Sequence, residues 1–105
     1  MLAPSKKDEY LILTENGLKF MKKWFGKAKM VPPKLTRLYQ LLLHTTSYGG
    51  CISRIDVRRI GYKPETVDEA ISKGYIVTRK HTKVPKEIRE TIAQMRGKAP
   101  KILYM

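Results

Sequence analysis

The chain has 105 residues, 42% of them hydrophobic and 30% charged, which is typical of one folded domain rather than of a disordered chain or a membrane protein. Twenty-two Lys and Arg against nine Asp and Glu give a net charge of +13, an excess that predicts a polyanionic partner such as nucleic acid. The longest apolar run is too short for a membrane span, and the Lys-rich start lacks a signal peptide's apolar stretch, so we expect a cytoplasmic protein.

The first third of the chain predicts a strand, a helix and a linker. Residues 10–13 are typical of a short strand, and apolar side chains at helical spacing then predict a helix over 15–25. Thr14 can cap this helix and Gly26 can end it. The segment GKAKMVPPK is a linker, because its prolines remove backbone donors and disfavour helix. We therefore treat residues 1–34 as a basic strand-and-helix extension.

The middle of the chain predicts three helices and two strands. Ser53 with Asp56 three residues later resembles a capping box, and Gly61 supplies a turn between two helices. Pro64 suits a first helical position, and Gly74 suits a helix end. The predicted helices cover 34–45, 53–60 and 64–74, and the predicted strands cover 51–52 and 75–80.

The last region, 81–105, is predicted to be a basic insertion that contains a helix and a return strand. Behind Pro85, apolar residues at i, i+4 and i+7 predict a helix that stops before Gly97. Its narrow apolar stripe comprises Ile88, Ile92 and Met95. The final KILYM predicts a strand that pairs antiparallel with 75–80.

This order of elements is similar to a winged helix-turn-helix domain of the small prokaryotic or archaeal type. The supporting helix with its turn glycine is resembled by ISRIDVRRIG. The recognition helix and the first wing strand are resembled by YKPETVDEAISKGYI, and the second wing strand is resembled by KILYM. The resemblance implies an α+β fold in a single domain over 1–105: a three-helix core, a small antiparallel sheet, and extra N-terminal and wing-inserted helices. In many such proteins a strand and a helix follow the wing, and the segment YLILTENGLKFMKKW is similar to them. Here this segment precedes the other elements, so the sequence leaves open where its strand and helix lie in the fold.

In such domains the third helix reads base edges in the major groove. Here three of its seven outward positions are acids, Glu65, Asp68 and Glu69, and carboxylates near phosphates argue against deep insertion. These acids also have a structural explanation, since Asp68 and Glu69 can pair with Arg58, Arg59 or Lys73.

The charge excess lies outside this central unit. Residues 35–74 hold six bases and four acids, against eight and three in 1–34 and eight and two in 75–105. This distribution favours phosphate contacts, which give affinity without sequence selection. The predicted nucleic-acid-binding residues are Arg54, Arg58, Arg59, Lys63, Thr66 and Lys73 in the helix-turn-helix unit, Arg79, Lys80, Lys83 and Lys86 on or beside the wing, and Lys19, Lys22, Lys23 and Lys27 near the first helix.

We therefore expect a non-catalytic protein that binds duplex DNA mainly through phosphates, a small transcription or chromatin factor associated with the nucleoid. A ribosomal or other structural RNA-binding protein is the first alternative, because RNA duplexes are recognised largely by shape, phosphate and 2′-hydroxyl contacts. A protein-interaction module whose acidic helix meets a basic partner is the second. The family also includes homodimers, and the stripe of the last helix or the first helix could form their interface, unless both pack on the chain's own core.

No cofactor, metal or enzymatic activity is expected. Cys51 is the only cysteine, and His44 and His81 have no partner at a meaningful spacing. Neither a Ser, His and acid cluster nor a glycine-rich phosphate loop can be assembled from the motifs. A membrane surface is a second candidate partner for this charge, but the sequence shows neither an amphipathic helix with a wide apolar face nor a lipid signal, so no membrane partner is expected.

Overall fold

The computed structural model describes residues 9–98 and shows an α+β fold with five α-helices and one three-stranded antiparallel sheet over that range. The helices are α1 (Glu15–Trp24), α2 (Thr36–Ser47), α3 (Arg54–Ile60), α4 (Pro64–Ser72) and α5 (Lys86–Lys98). The strands are β1 (Tyr10–Leu13), β2 (Cys51–Ser53) and β3 (Ile76–Arg79), and short 3₁₀ turns cover Ala28–Met30 and Pro33–Leu35. The α+β class expected from the sequence is confirmed.

The N-terminal strand β1 is the central strand of the sheet, between β2 and β3. Tyr10 lies opposite Ser53 on one side and Arg79 on the other, both in antiparallel register. This settles the placement that the sequence left open. The return strand predicted from KILYM lies outside the described residues, and the strand that pairs with β3 in the described part of the chain is β1.

The core forms around α2, which contacts α1, α4 and the strands β1 and β2. Side chains alternate across a strand, so Leu11 and Leu13 share one face and both belong to the main core cluster. The largest completely buried apolar side chains of the described residues are Leu11, Leu13, Met21, Leu38, Leu41, Leu42, Ile52 and Ile76. The leucine stripe of α2 thus buries its predicted face.

The second face of the sheet is covered by the segment that leads into α5. Ile12 is 3% exposed and lines a groove together with Ile88. A Cβ on Gly50 would lie 3.0 Å from Val84 and 3.1 Å from Ile92, so the backbone after α2 passes directly beneath this segment. The insertion therefore packs against the sheet.

The predicted helix boundaries are close to the observed ones. The Thr14 hydroxyl accepts from the Gly17 amide at 3.1 Å, and Ser53 accepts from the Asp56 amide at 3.0 Å, so both predicted caps are confirmed. Gly61 ends α3 with φ +110°, a conformation that favours glycine.

Several boundaries differ by one or two residues from the sequence prediction, and two of the differences have a clear physical reason. Helix α2 begins at Thr36 rather than at residue 34, because Pro33–Leu35 forms a 3₁₀ turn first. Helix α5 continues through Gly97, where the sequence predicted a stop. Glycine inside a helix costs only about 1 kcal/mol relative to alanine, which does not by itself end a helix.

The two apolar stripes considered as dimer interfaces are buried within the chain. Ile88 is 6% exposed, Ile92 3% and Met95 8%, and all three belong to the main core cluster. In α1, Leu18 and Met21 are buried in the same cluster, with Phe20, Trp24 and Phe25 packed against it. Both stripes therefore pack on the chain's own core, which is the alternative that the sequence left open for them.

Candidate nucleic-acid interface

Two of the predicted basic groups line a single groove. The groove has a volume of about 780 Å³ and lies between α1 and the segment that follows β3. We call it the basic groove; its basic side chains are Lys19, Lys22, Arg79, His81 and Lys83. The structure thus brings the first-helix lysines and the wing residues together, although they are about 60 positions apart in the sequence.

The position of α1 beside β3 is fixed by polar contacts at the start of the helix. The Thr14 amide donates to the Tyr75 carbonyl oxygen at 3.0 Å, and the Thr14 hydroxyl donates to the Gly74 carbonyl oxygen. Phe20 stacks on the Tyr75 ring at a centroid distance of 4.8 Å. These contacts join α1 to the turn between α4 and β3, and they hold the lysine-bearing face of α1 next to the wing.

Close backbone packing at Gly17 completes this junction. A Cβ at this position would lie 2.1 Å from the Tyr75 carbonyl oxygen and 2.9 Å from a methyl carbon of Leu13. No other residue type fits without moving the helix, so Gly17 determines how closely α1 approaches β3. No pattern in the sequence predicted this role.

The cations of the basic groove are available to an anion. Lys19, Lys22 and Lys83 are exposed and make no ion pair with any residue of 9–98. Within residues 9–98, the Arg79 guanidinium donates to the neighbouring Thr78 carbonyl oxygen at 2.8 Å and forms no ion pair. Unpaired exposed cations suit phosphate contacts, because neutralising phosphates releases condensed counterions.

The remaining predicted lysines of α1 and the wing do not line the basic groove. Lys23 lies over the Trp24 ring, 5.1 Å from its centroid. Lys27 and Lys86 are exposed elsewhere on the surface. These side chains add to the positive field but are not gathered into one site.

Two predicted residues, Arg54 and Lys80, contact the carboxylate of Glu9. The Arg54 Nε donates to a Glu9 carboxylate oxygen at 2.9 Å, and the side chains of both residues are mostly buried. The Lys80 Nζ lies 3.9 Å from the other Glu9 oxygen. Arg54 therefore ties α3 to the start of β1 and is not a free phosphate ligand.

The rest of α3 presents one paired and one unpaired arginine. Arg59 lies 3.4 Å from Asp56 one turn earlier, an exposed pair of the kind that contributes little to stability. Arg58 is exposed and has no ion pair in the described part of the chain. Helix α3, the predicted supporting helix, thus has fewer unpaired cations within the described residues than the sequence predicted.

The exposed face of α4 is acidic. Lys73 forms an ion pair with Glu69 at 3.2 Å, which confirms one of the pairs that the sequence allowed. Glu65 and Asp68 are exposed and make no ion pair within residues 9–98. Lys63 is exposed before the helix starts, and Thr66 is half-buried. The predicted recognition helix therefore carries two free carboxylates and no free cation along its own length.

Polar contacts of Tyr62 with His44 and Arg37, which we call the Tyr62 clasp, connect the turn between α3 and α4 to α2. Tyr62 is 6% exposed, and its hydroxyl contacts the Nδ1 atom of His44. The Arg37 guanidinium lies over the Tyr62 ring at 5.0 Å and donates to the Gly61 carbonyl oxygen at 3.4 Å. Burial raises the pKa of Tyr62 to about 12, and the nearby Arg37 charge opposes part of that rise. The sequence assigned no partner to His44, because its partner lies 18 positions away.

A second groove adjoins the basic one. It has a volume of about 670 Å³, and we call it the aromatic groove. Two tyrosines and two cations contribute to its walls: Tyr10, Tyr48, Lys83 and Arg89. Cys51 also lines it, and partial burial raises the pKa of this thiol above its usual value. Lys83 lines both grooves.

No protein family, curated protein or solved structure compared with this chain matches it. In residues 9–98 no helix is both long and apolar enough to cross a bilayer. The same residues contain no group of three or more His, Cys, Asp or Glu side chains placed to hold a metal ion.

Proposed function

We propose that this protein is a non-catalytic nucleic-acid-binding protein that holds duplex DNA through phosphate contacts in the basic groove. The proposal rests on one observation: four cations from two distant parts of the chain, Lys19, Lys22, Arg79 and Lys83, line the same groove and form no ion pair within residues 9–98. Such cations give affinity that depends on salt and little on base sequence. A small transcription or chromatin factor would use binding of this kind.

The arrangement of β2, α3, α4 and β3 supports a winged-helix type of fold. Helix α3 ends at the left-handed Gly61, α4 packs on α2, and β3 leaves α4 through a glycine turn. In this assignment β1 occupies the sheet position next to β3 that a return wing strand takes in the family. The wing-like segment is then the one that follows Arg79 and carries Lys83.

The acidic face of α4 supports phosphate docking over base reading. Glu65 and Asp68 would meet phosphates on entering a major groove, at a cost in repulsion and desolvation. We therefore propose that the protein contacts DNA with the α1 and wing side, and that α4 serves mainly to position β3.

Structured RNA is the second candidate ligand. The same acidic α4 favours it, because RNA duplexes are bound through phosphate and 2′-hydroxyl contacts that need no base-reading helix. Competition between matched DNA and RNA duplexes over a salt series separates the two candidates, and tighter binding of RNA at every salt concentration would favour the second.

A matched pair of double variants tests the groove. Lys19→Ala/Lys22→Ala removes two groove cations, whereas Lys29→Ala/Lys34→Ala removes the same charge from exposed positions outside the groove. Fluorescence anisotropy with a labelled duplex measures affinity over a salt series. We expect the groove variant to reduce the salt slope by about 2, since each phosphate contact contributes about 0.9.

The control variant should change the slope by less than half that amount. Equal losses in the two variants would show that only net charge matters and would remove the basic groove from the proposal. A wild-type protein with no salt-dependent binding to either duplex would overturn the proposed function and leave the protein-interaction alternative.

A further inference from the structure

The aromatic groove lies at one end of the second face of the sheet, the face that carries Tyr10 and Ile12. Tyr10 in β1 shares that face with Ser53 and Arg79, because residues directly opposite in antiparallel strands point the same way. Tyr48, just after α2, forms another part of the groove lining and is 51% exposed. A large aromatic ring is thus presented to solvent inside a concave site rather than on a convex surface.

The backbone next to Tyr48 keeps this site open. Gly49 has φ +86°, and a Cβ there would meet no atom within 4 Å. Gly50, the next residue, lies under Val84 and Ile92, which fixes the opposite edge of the turn. Tyr48 therefore stands beside open space at the edge of a closely packed turn.

The charges around the groove favour an anion next to the ring. Lys83 and Arg89 are exposed cations with no ion pair in the described residues. The carboxylate in the lining, Asp56, is already paired with Arg59 at 3.4 Å, which reduces its repulsion of an incoming phosphate. An aromatic ring flanked by cations is the arrangement with which proteins hold single-stranded nucleic acid: bases stack on the ring, and the cations follow the backbone.

We propose that the aromatic groove binds an unpaired nucleotide, with its base stacked on Tyr48 and its phosphates beside Lys83 and Arg89. Lys83 lines both grooves, so a strand that leaves a duplex in the basic groove reaches the aromatic groove directly. The protein would then prefer junctions between duplex and single strand. This inference rests on the proposed duplex binding, and the tests separate the two.

Overhang preference provides the first test. A blunt duplex and the same duplex with a single-stranded oligothymidine overhang are compared by anisotropy. We expect the wild type to favour the overhang about tenfold, in line with the stacking free energy of one or two bases. Tyr48→Ala should abolish this preference and leave blunt-duplex affinity unchanged, and Tyr48→Phe should retain it.

Met30→Ala is the matched control, because Met30 is 70% exposed and lines neither groove. It should keep the overhang preference. Wild-type protein without overhang preference, or Tyr48→Ala that retains it, overturns the inference and leaves the duplex proposal standing. Wild-type protein that binds neither the blunt duplex nor the overhang duplex overturns both.

Cys51 gives a second readout that does not depend on affinity. It is the only cysteine in the chain and it lines the aromatic groove, so its alkylation rate reports occupancy of this site alone. The reaction is followed by mass spectrometry at mildly alkaline pH, because burial raises the pKa of the thiol. Saturating oligothymidine should slow alkylation at least fivefold, and saturating blunt duplex should leave it nearly unchanged.

Equal protection by both probes, or by neither, contradicts the inference. So does a thiol that is already fully protected in the free protein, since the groove would then be occupied by the chain itself. Blunt duplex that fails to bind while oligothymidine still protects Cys51 would overturn the proposed duplex function and establish a single-strand site in its place.

Discussion

The basic groove and the exposed face of α4 present opposite charges to solvent. The groove gathers unpaired cations from α1 and the wing segment, whereas α4 displays Glu65 and Asp68 and pairs its own Lys73 with Glu69. In a winged-helix protein, α4 would be the first place to look for nucleic-acid contacts. The contrast teaches that fold alone does not locate a site, and it is the reason why the proposed site lies in the groove rather than on α4.

The two surfaces differ in charge because the acids near the basic groove interact with nearby bases or with helix N-termini. Glu9 is bound by Arg54 and Lys80, so these bases outside the groove are partly neutralised. The two acids that line the basic groove, Glu15 and Glu87, lie in the first turns of α1 and α5, where a carboxylate interacts favourably with the helix dipole. Structural demands therefore account for the acids near the groove and leave its cations free.

The largest expected effect comes from breaking the junction that forms the α1 wall of the groove. Gly17→Ala places a methyl group 2.1 Å from the Tyr75 carbonyl oxygen, so α1 must move away from β3. We expect a loss of at least about 3 kcal/mol in the free energy of unfolding, at the upper end of overpacking costs. Urea denaturation followed by circular dichroism measures it.

Asn16→Ala is the control, because Asn16 is exposed in the same turn of α1 and alanine is the better helix former. This variant should be as stable as the wild type or slightly more stable. A Gly17→Ala protein of wild-type stability would show that α1 is not held against β3 in the way described.

The Tyr62 clasp tests whether stability and binding lie in different regions. It holds α2 against the turn between α3 and α4, and its residues do not line the basic groove. The pKa of Tyr62 is about 12 in the folded protein, against about 10 when unfolded, so the folded state retains the phenol proton more tightly. The associated stability is constant below about pH 10 and is lost as the pH rises through about 12.

We expect the wild type to lose about 2 kcal/mol more than Tyr62→Phe between about pH 10 and about pH 12, measured by urea denaturation at each pH. Lysine deprotonation affects both proteins and cancels in the comparison. Equal losses would mean that Tyr62 is not buried as described. At neutral pH the Tyr62→Phe protein should bind duplex DNA like the wild type.

The smallest expected effect comes from the acidic face. Glu65→Gln/Asp68→Gln removes two free carboxylates from α4, and we expect less than about a threefold gain in duplex affinity at physiological salt, where charges beyond about 8 Å are screened. Anisotropy at two salt concentrations checks this. A gain of tenfold or more would place α4 against the nucleic acid and remove the contrast between the two regions.

Local signals in the sequence determined the helices, their caps and the turn. Thr14 and Ser53 cap the helices that they were expected to cap, and Gly61 forms the turn, because these features depend on residues three or four positions apart. The net charge of +13 also follows from the sequence alone, and it is one basis for the proposal of a polyanionic partner.

Only the tertiary structure decided which charges remain free and which lie together. The pairing of Arg54 with Glu9, the contact of Tyr62 with His44, and the groove shared by Lys19 and Lys83 all join distant positions in the chain. Such contacts depend on β1 taking the central place in the sheet, which brings residues 9–22 beside residues 75–91. Sequence periodicity carries no information on that pairing, because it reports which face of an element is buried and not which element covers it.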